Sequence, residues 1–243
     1  MSAPSSQPSV VSAERRSAVD ELMRQIKQKS FERLQLQPGQ RILDVGCGAG
    51  ADTLAMARAV GAGGVVHGVD YDAAVVAQAR QLSRTQDASA WLTYHHANVT
   101  ALPWQDDYFN ACRCDRIFQN LLEPEQAFDE LLRVTRPGGV VVVISGDWAT
   151  LSIDSDEPDI ESRHAHFVAT LSTDDKISGR SLRSLFAQRG MLDAQIEVHP
   201  ALPASTEAGA CWQRSIEPAA AKSGLFGSAN VVLISGRKPV VSE

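Results

Sequence analysis

One acid and three glycines, Asp44-x-Gly46-x-Gly48-x-Gly50, stand at alternate positions at the end of the short apolar run Ile42-Leu43-Asp44-Val45. That spacing suits chemistry in which the backbone must approach a ligand closely. Glycine reaches φ > 0 and carries no Cβ to keep a flat group away, and a helix opening near Ala51 offers its free N–H groups to a negative end. The stretch reads as a nucleotide-type cradle. It is ambiguous alone, because Gly46-x-Gly48-x-x-Ala51 also meets the relaxed dinucleotide fingerprint, with Asp70 about where a ribose-binding acid is expected. Asp44 tilts the balance: a carboxylate just before the first glycine is placed to face a ligand's ammonium group, directly or through water, and would not suit a pyrophosphate.

Further candidates follow at strand ends. Val65–Asp70 reads as a second strand whose closing acid, Asp70, a βαβ unit sets beside the glycine loop, where two acceptor oxygens suit a ribose diol. Asp72 is expected to cap the helix from Ala73 to about Thr85. A third strand, Leu92–His96, leads into Ala97-Asn98-Val99-Thr100-Ala101-Leu102-Pro103-Trp104. The fourth, Phe109–Asp115, carries Cys112 and Cys114 on one face, without the further soft ligands that a zinc site requires, so core packing is expected of them. Residues 115 to 119 lie at the carboxyl edge, where open α/β sheets bind ligands. A helix opening at Pro124 then ends in Arg136-Pro137-Gly138-Gly139 and feeds a fifth buried strand, Val140–Ile144.

The glycine loop, the Asn98 junction and the run Leu132-Arg133-Val134-Thr135-Arg136-Pro137-Gly138-Gly139-Val140 together cover about 100 residues. In that combination the chain resembles the class I S-adenosyl-L-methionine (SAM)-dependent methyltransferases, in particular the small-molecule branch similar to quinone-biosynthesis enzymes. The resemblance implies an α/β fold: a Rossmann-like, seven-stranded, mostly parallel sheet flanked by helices, its last strand antiparallel. It implies SAM as cofactor, with Asp44, Gly46, Cys47, Gly48 and Gly50 around it and Asp70 and Tyr71 at the ribose. At the adenine, Asn98 replaces the family's usual acid and keeps an amide oxygen able to accept from an exocyclic amine, while the backbone of Val99 meets the ring. The carbonyls of Cys114 and Asp115 are the matching positions for the methionine ammonium.

The remaining elements must position these groups. Residues 1–12, rich in Ser, Pro, Ala and Gln, are expected to be a disordered tail, and residues 13–243 a single methyltransferase domain. Apolar residues at helical spacing predict an N-terminal helix from Ala13 to about Leu36, which packs on the sheet or helps to cover the cofactor. After the fifth strand, residues 151–177 depart from the standard path as a helical lid and acceptor-pocket insertion, in which His164 interrupts an apolar stripe and His166 points away from it. A helix from Gly179 to Gly190, a sixth strand over Leu192–Val198, a helix around Glu207 to Lys222 and a closing strand from Asn230 complete the chain.

Composition bounds the function. With 44% hydrophobic residues and a charge of 23 − 29 = −6, the chain has no global field to attract nucleic acid or an anionic membrane. No window approaches the roughly 18 apolar residues of a membrane span. The four cysteines, too few and scattered for a disulfide framework, fit a reducing cytoplasm. Partners are therefore expected to be a small-molecule acceptor, with no nucleic acid and no membrane; no metal-ligand residues are read from the sequence, and any metal requirement and the oligomeric state stay open.

Methyl transfer from a sulfonium is an in-line displacement with a good leaving group, so aligning acceptor and methyl in a dry pocket is the main task. A base matters where a hydroxyl or protonated amine must lose its proton; Asp147, His164 and His166 are the candidates at the carboxyl edge. Arg116 and Gln119 are placed to orient an acceptor, with Phe118 and Trp148 as apolar walls. Asp115-Arg116-Ile117-Phe118 lacks the Asn/Asp-Pro-Pro-aromatic motif of amino-methylating DNA and protein enzymes, which favours a small organic acceptor. Two rival readings remain: a nicotinamide-dependent oxidoreductase, which would use the same loop and Asp70, and a SAM-binding protein without catalysis.

Overall fold

Five strands pair in parallel as the heart of one sheet; those at Arg41–Val45 and Phe109–Asp115 and the centre of the one at Thr135–Asp154 are almost wholly buried, and the one at Leu92–His96, at the edge, keeps Thr93 and His96 exposed. The computed structural model describes residues 10–86, 89–154, 162, 179–201 and 226–240. In chain order the elements are α1 (Val10–Leu34), β1 (Arg41–Val45), α2 (Ala51–Val60), β2 (Val65–Asp70), α3 (Ala73–Arg84), β3 (Leu92–His96), β4 (Phe109–Asp115), α4 (Pro124–Val134), β5 (Thr135–Asp154), α5 (Gly179–Gln188), β6 (Leu192–Ala201) and β7 (Phe226–Arg237). The strands form a seven-stranded sheet in the order β3-β2-β1-β4-β5-β7-β6. β7 alone runs against the others, pairing antiparallel with both β5 and β6. The Rossmann-like architecture with an antiparallel last strand is therefore present as expected.

Strand alternation divides the core in two. Leu43 and Val45 of β1, Cys112 and Cys114 of β4 and Val141 and Val143 of β5 face a layer built by Phe128, Leu131 and Val134 of α4 and Leu182, Leu185 and Phe186 of α5. Ile42, Val66, Ala111, Val142 and Ile144 face the other layer, made by Ile26 and Leu34 of α1, Met56 and Val60 of α2, and Val76 and Ala79 of α3. Pro124 occupies the first turn of α4, where its missing N–H costs no helical bond. The N-terminal helix thus packs on the sheet.

Several boundaries differ from expectation: β5 begins at Thr135, ahead of the Arg136–Gly139 turn, β6 runs past Val198 to Ala201, and β7 begins at Phe226, before Asn230. α1 begins at Val10, inside the stretch expected to be a tail. β5 is far longer than Val140–Ile144 and continues to Asp154, its far end paired with β7 through Ser152 opposite Ser228 and Asp154 opposite Phe226. Residues 151–154, assigned to the insertion, are therefore strand: the antiparallel partner carries the ladder past the sheet edge. The rest of that insertion, apart from Ser162, and the helix expected around Glu207 to Lys222 lie outside the described residues. Among the described residues no helix is long and apolar enough to cross a membrane.

Candidate active site

The strand order reverses between β1 and β4, and at such a switch point the two carboxyl ends leave a crevice. The glycine loop fills its floor. Gly46 and Cys47 both donate their N–H to the carbonyl of Val69, at 2.7 and 3.0 Å, and Gly48 donates to Asp70 Oδ2 at 3.0 Å. The end of β2 thereby sets the path of the loop. Gly46 has φ 76°, and a Cβ there would collide with the Ile117 side chain and stand 3.2 Å from the carbonyl oxygen of Asp115. Gly50, with φ 88°, would drive a Cβ into the ring of Tyr94, whose hydroxyl donates to the Gly50 carbonyl at 3.0 Å. Both positions require glycine for conformation and for space.

Asp70 and Asp72 divide the work at the end of β2. Asp72 Oδ1 accepts from the N–H groups of Ala74 and Val75, at 2.8 and 3.4 Å, as a helix cap does. Asp70 bridges the N–H of Gly48 and that of Asp72, the latter at 3.0 Å, and borders a cavity of about 350 Å³. Gly46, Tyr71, Asn98, Val99 and Ile117 share that cavity. Tyr71 and Leu122 stand at its rim, 78% and 85% exposed. Asn98 Oδ1 accepts from the N–H of Thr100 at 3.1 Å, and a carbonyl oxygen keeps a second lone pair beyond that bond.

Asp44 does not face the crevice. Alternation along β1 turns its carboxylate inward, fully buried, where Oδ2 accepts from Thr53 Oγ1 at 2.7 Å and Oδ1 from Arg113 at 3.0 Å. Burial pushes its pKa up, and the neighbouring guanidinium opposes that push. Arg113, in the middle of β4, is itself 1% exposed and also meets Asp52, Asp115 and Ser30. Burial by itself would raise the Asp52 carboxyl, but Arg113 and Lys27 outweigh it and hold the group below its ordinary value. Sequence reasoning missed Arg113. The available signal was a lone cation inside an otherwise apolar strand, on the opposite face from Cys112 and Cys114.

The other candidates separate into rim and interior. Asp115 keeps its carbonyl oxygen at Gly46 while its carboxylate is held by Arg113 and, at 3.2 Å, by Nε of half-buried Arg116. Arg116 adopts φ 56° as the chain turns out of β4, and its N–H donates to Ile144. Gln119 accepts from the N–H of Gly146, joining the turn after β4 to the middle of β5. Phe118 is not a wall of the crevice: the 3-10 turn at Phe118–Asn120 points its ring inward, fully buried against Phe128. Asp147 is 1% exposed, which places its side chain inside the fold and not on an open acceptor surface. Cys47 and Cys114 are buried thiols, with pKa values raised first by burial and then by nearby carboxylates, which disfavours the thiolate. Trp148 lies on β5 with its side chain outside the description, and His164 and His166 lie outside the described residues. Among the described residues no three His, Cys, Asp or Glu side chains gather as metal ligands.

Residues 43–143 match a family model described as a methyltransferase domain. The chain is 34% identical over 186 residues to a protein from Streptomyces fradiae named "Uncharacterized 37.1 kDa protein in transposon TN4556", covering 76% of this chain and 52% of that one. It is 32% identical over 108 residues to the 2-phytyl-1,4-naphtoquinone methyltransferase of Trichormus variabilis, covering 44% and 47%. The chain thus spans about half the length of the curated relatives it matches. Among solved structures, geranyl diphosphate C-methyltransferase from Streptomyces coelicolor superposes with a TM-score of 0.64 at 16% identity, covering 96% of this chain and 85% of that one, a likeness of fold.

Proposed function

We propose that this chain, whose residues 43–143 match a methyltransferase-domain family model, transfers a methyl group from S-adenosyl-L-methionine to a small organic acceptor. The observation that carries the reading is the single cavity bordered by Gly46, Asp70, Asn98 and Val99, with Asp70 already tied to the loop through Gly48. These residues fit the cofactor. Gly48, at positive φ, has open space beside it, a half-buried carboxylate at the edge of β2 supplies two acceptors for a diol, and an amide oxygen supplies one for an amine. When bound, the cofactor supplies an electrophilic methyl group on a sulfonium and a neutral thioether as leaving group.

The protein's part is alignment. Asp70 holds the ribose, Asn98 and the backbone of Val99 meet the adenine, and the carbonyls of Cys114 and Asp115 receive the ammonium. Ile117, packed over Gly46, covers the loop side of the cavity. Arg116, at the edge of β4, orients the acceptor. Gln119 serves beside it by holding β5 at Gly146. Proton removal, where the acceptor needs it, falls to His164 or His166 in the insertion, since Asp147 is enclosed.

For acceptor class we favour a phenol or quinone precursor, supported by the quinone methyltransferase relative and by the acidic balance of the chain, which disfavours nucleic acid. A cytoplasmic enzyme of small-molecule metabolism agrees with the three described cysteines, all free thiols.

The test is isothermal titration with S-adenosylhomocysteine and, separately, NADH, on the wild type and Asp70→Ala. Micromolar binding of the former that is lost in the variant supports the proposal; binding of NADH alone would replace it with an oxidoreductase.

A further inference from the structure

Arg113 sends its donors to four different elements. Nε meets Ser30 Oγ of α1 at 3.0 Å, and Nη1 meets Asp44 Oδ1 of β1 at 3.0 Å. Nη2 is shared between Asp52 Oδ2 of α2 at 3.1 Å and Asp115 Oδ2 of β4 itself at 3.0 Å. The ring of Phe31 lies over the guanidinium at 5.3 Å. A cation buried to 1% exposure persists only when paired and hydrogen-bonded, and this one is paired three times. α1 reaches the same acids again through Lys27, 2.9 Å from Asp52 and 3.9 Å from Asp115. Core packing alone would be served by a Val or Leu here, like its neighbours on β5.

The position of the cluster gives it a function. Asp44 pairs in register with Arg113, and the next residues along the two strands, Val45 and Cys114, pair in turn. One step further, Gly46 and Asp115 meet across the crevice. Asp52 lies in the first turn of α2, directly after the loop. The adenosine residues Asp70, Asn98 and Val99 lie toward β2 and β3, so the cluster underlies the other end of the crevice.

Resting on the methyl-donor reading above, we infer that Arg113 is a positioning residue for the amino-acid end of the donor. It ties the carboxyl ends of β1 and β4, the first turn of α2 and the N-terminal helix into one rigid constellation. The carbonyls of Cys114 and Asp115 then meet the donor's ammonium in fixed places, and the adenosine end is left to other residues. A planar fork with five donors can serve four elements simultaneously; a lysine ammonium cannot match that geometry.

The discriminating experiment compares two ligands on the full chain. S-adenosylhomocysteine carries the amino-acid end, and 5′-methylthioadenosine shares its adenosine and thioether but lacks that end. Ser30→Ala removes one contact of Arg113, Asp52→Asn removes the charge that Arg113 and Lys27 share while Asp44 and Asp115 still pair the guanidinium, and Arg113→Lys keeps the charge while losing the fork. Titration calorimetry is expected to show S-adenosylhomocysteine weakened about fivefold or more in all three, most in Arg113→Lys, with methylthioadenosine within about twofold of wild type. Equal weakening of both ligands, or no weakening of either in variants that melt like the wild type, overturns the inference. Failure of the wild type to bind either ligand overturns the donor reading itself, and the inference with it.

Discussion

Asp44 and Arg113 stand directly opposite each other on neighbouring parallel strands, with Nη1 3.0 Å from Oδ1 and both side chains sealed from solvent. The acid that precedes the glycine loop therefore acts on the protein itself. Breaking a buried pair by removing one partner leaves the other charged and dry. Arg113→Met is expected to lower the unfolding free energy by about 3–5 kcal/mol, and Asp44→Asn in the same chain to restore part of it. Denaturant midpoints measure both. A loss under about 1 kcal/mol in Arg113→Met would show that the pair contributes little.

A second expectation concerns acid. His67 of β2 and His95 of β3 meet at 3.2 Å, with Thr93 Oγ1 2.7 Å from the first and 3.2 Å from the second, and Trp104, Tyr108 and Phe109 surround His67. Burial, then the neighbouring imidazole, brings His67 down to about 4, and burial followed by Arg80 lowers His95. Both rings are neutral in the fold, whereas the unfolded chain takes up protons near pH 6.5. Depressed values in the native state mean that stability is full above that pH and declines as pH falls toward 4. Melting curves between pH 7.5 and 4.5 should show the decline, and a shallower one in His67→Phe. Parallel slopes for the two proteins would refute the assignment.

Asp70 and Asp72 are two residues apart and should respond in opposite ways. Asp72→Ala removes the cap of α3 and is expected to cost about 1 kcal/mol with donor affinity retained. Asp70→Ala should abolish binding of S-adenosylhomocysteine at a smaller stability cost. Calorimetry and thermal melts on the pair decide the matter; equal effects on binding would erase the distinction.

The contact between Tyr94 and Gly50 offers a graded test of the loop. Tyr94→Phe loses one hydrogen bond to the Gly50 carbonyl, worth about 0.5–1.5 kcal/mol. Gly50→Ala forces a Cβ against the ring at positive φ and should be the more damaging to both stability and donor affinity. If Gly50→Ala binds as the wild type does, the close approach is not needed.

Phe118, read from sequence as a wall of the acceptor pocket, is fully buried against Phe128. Its truncation to alanine is expected to cost about 3–5 kcal/mol, as for other buried aromatics. A variant that melts near the wild-type temperature but has an altered acceptor preference would return Phe118 to the pocket.

Much of this was legible beforehand, for identifiable reasons. Buried parallel strands announce themselves as unbroken apolar runs, so β1, β4 and the centre of β5 were readable, as were the glycine loop and the acids that end β2. Direction was harder. Asp44 was expected to look outward because a strand's period fixes which residues share a face but not which face meets the ligand. Phe118 turned inward because a 3-10 turn intervenes between β4 and α4, and three residues are too few to show a period. The extension of β5 to Asp154 depends on a partner, β7, more than seventy residues away, which no local pattern reveals. Arg113 was passed over because a single cation in a strand acquires meaning only when the opposing residue is known.

The place of β7 bears on how the molecule is made. β7 lies between β5 and β6, and in the described sheet β6 has no other hydrogen-bonded neighbour. During synthesis the ribosome releases β6 before the strand that will hold it, so β6 waits with both edges unpaired until residues 226–237 emerge. The five parallel strands can assemble in advance as each crossover closes, whereas the final two must join together. Until then the flank of β5 is an open edge, and the nascent chain is at its most vulnerable to wrong pairing in that interval.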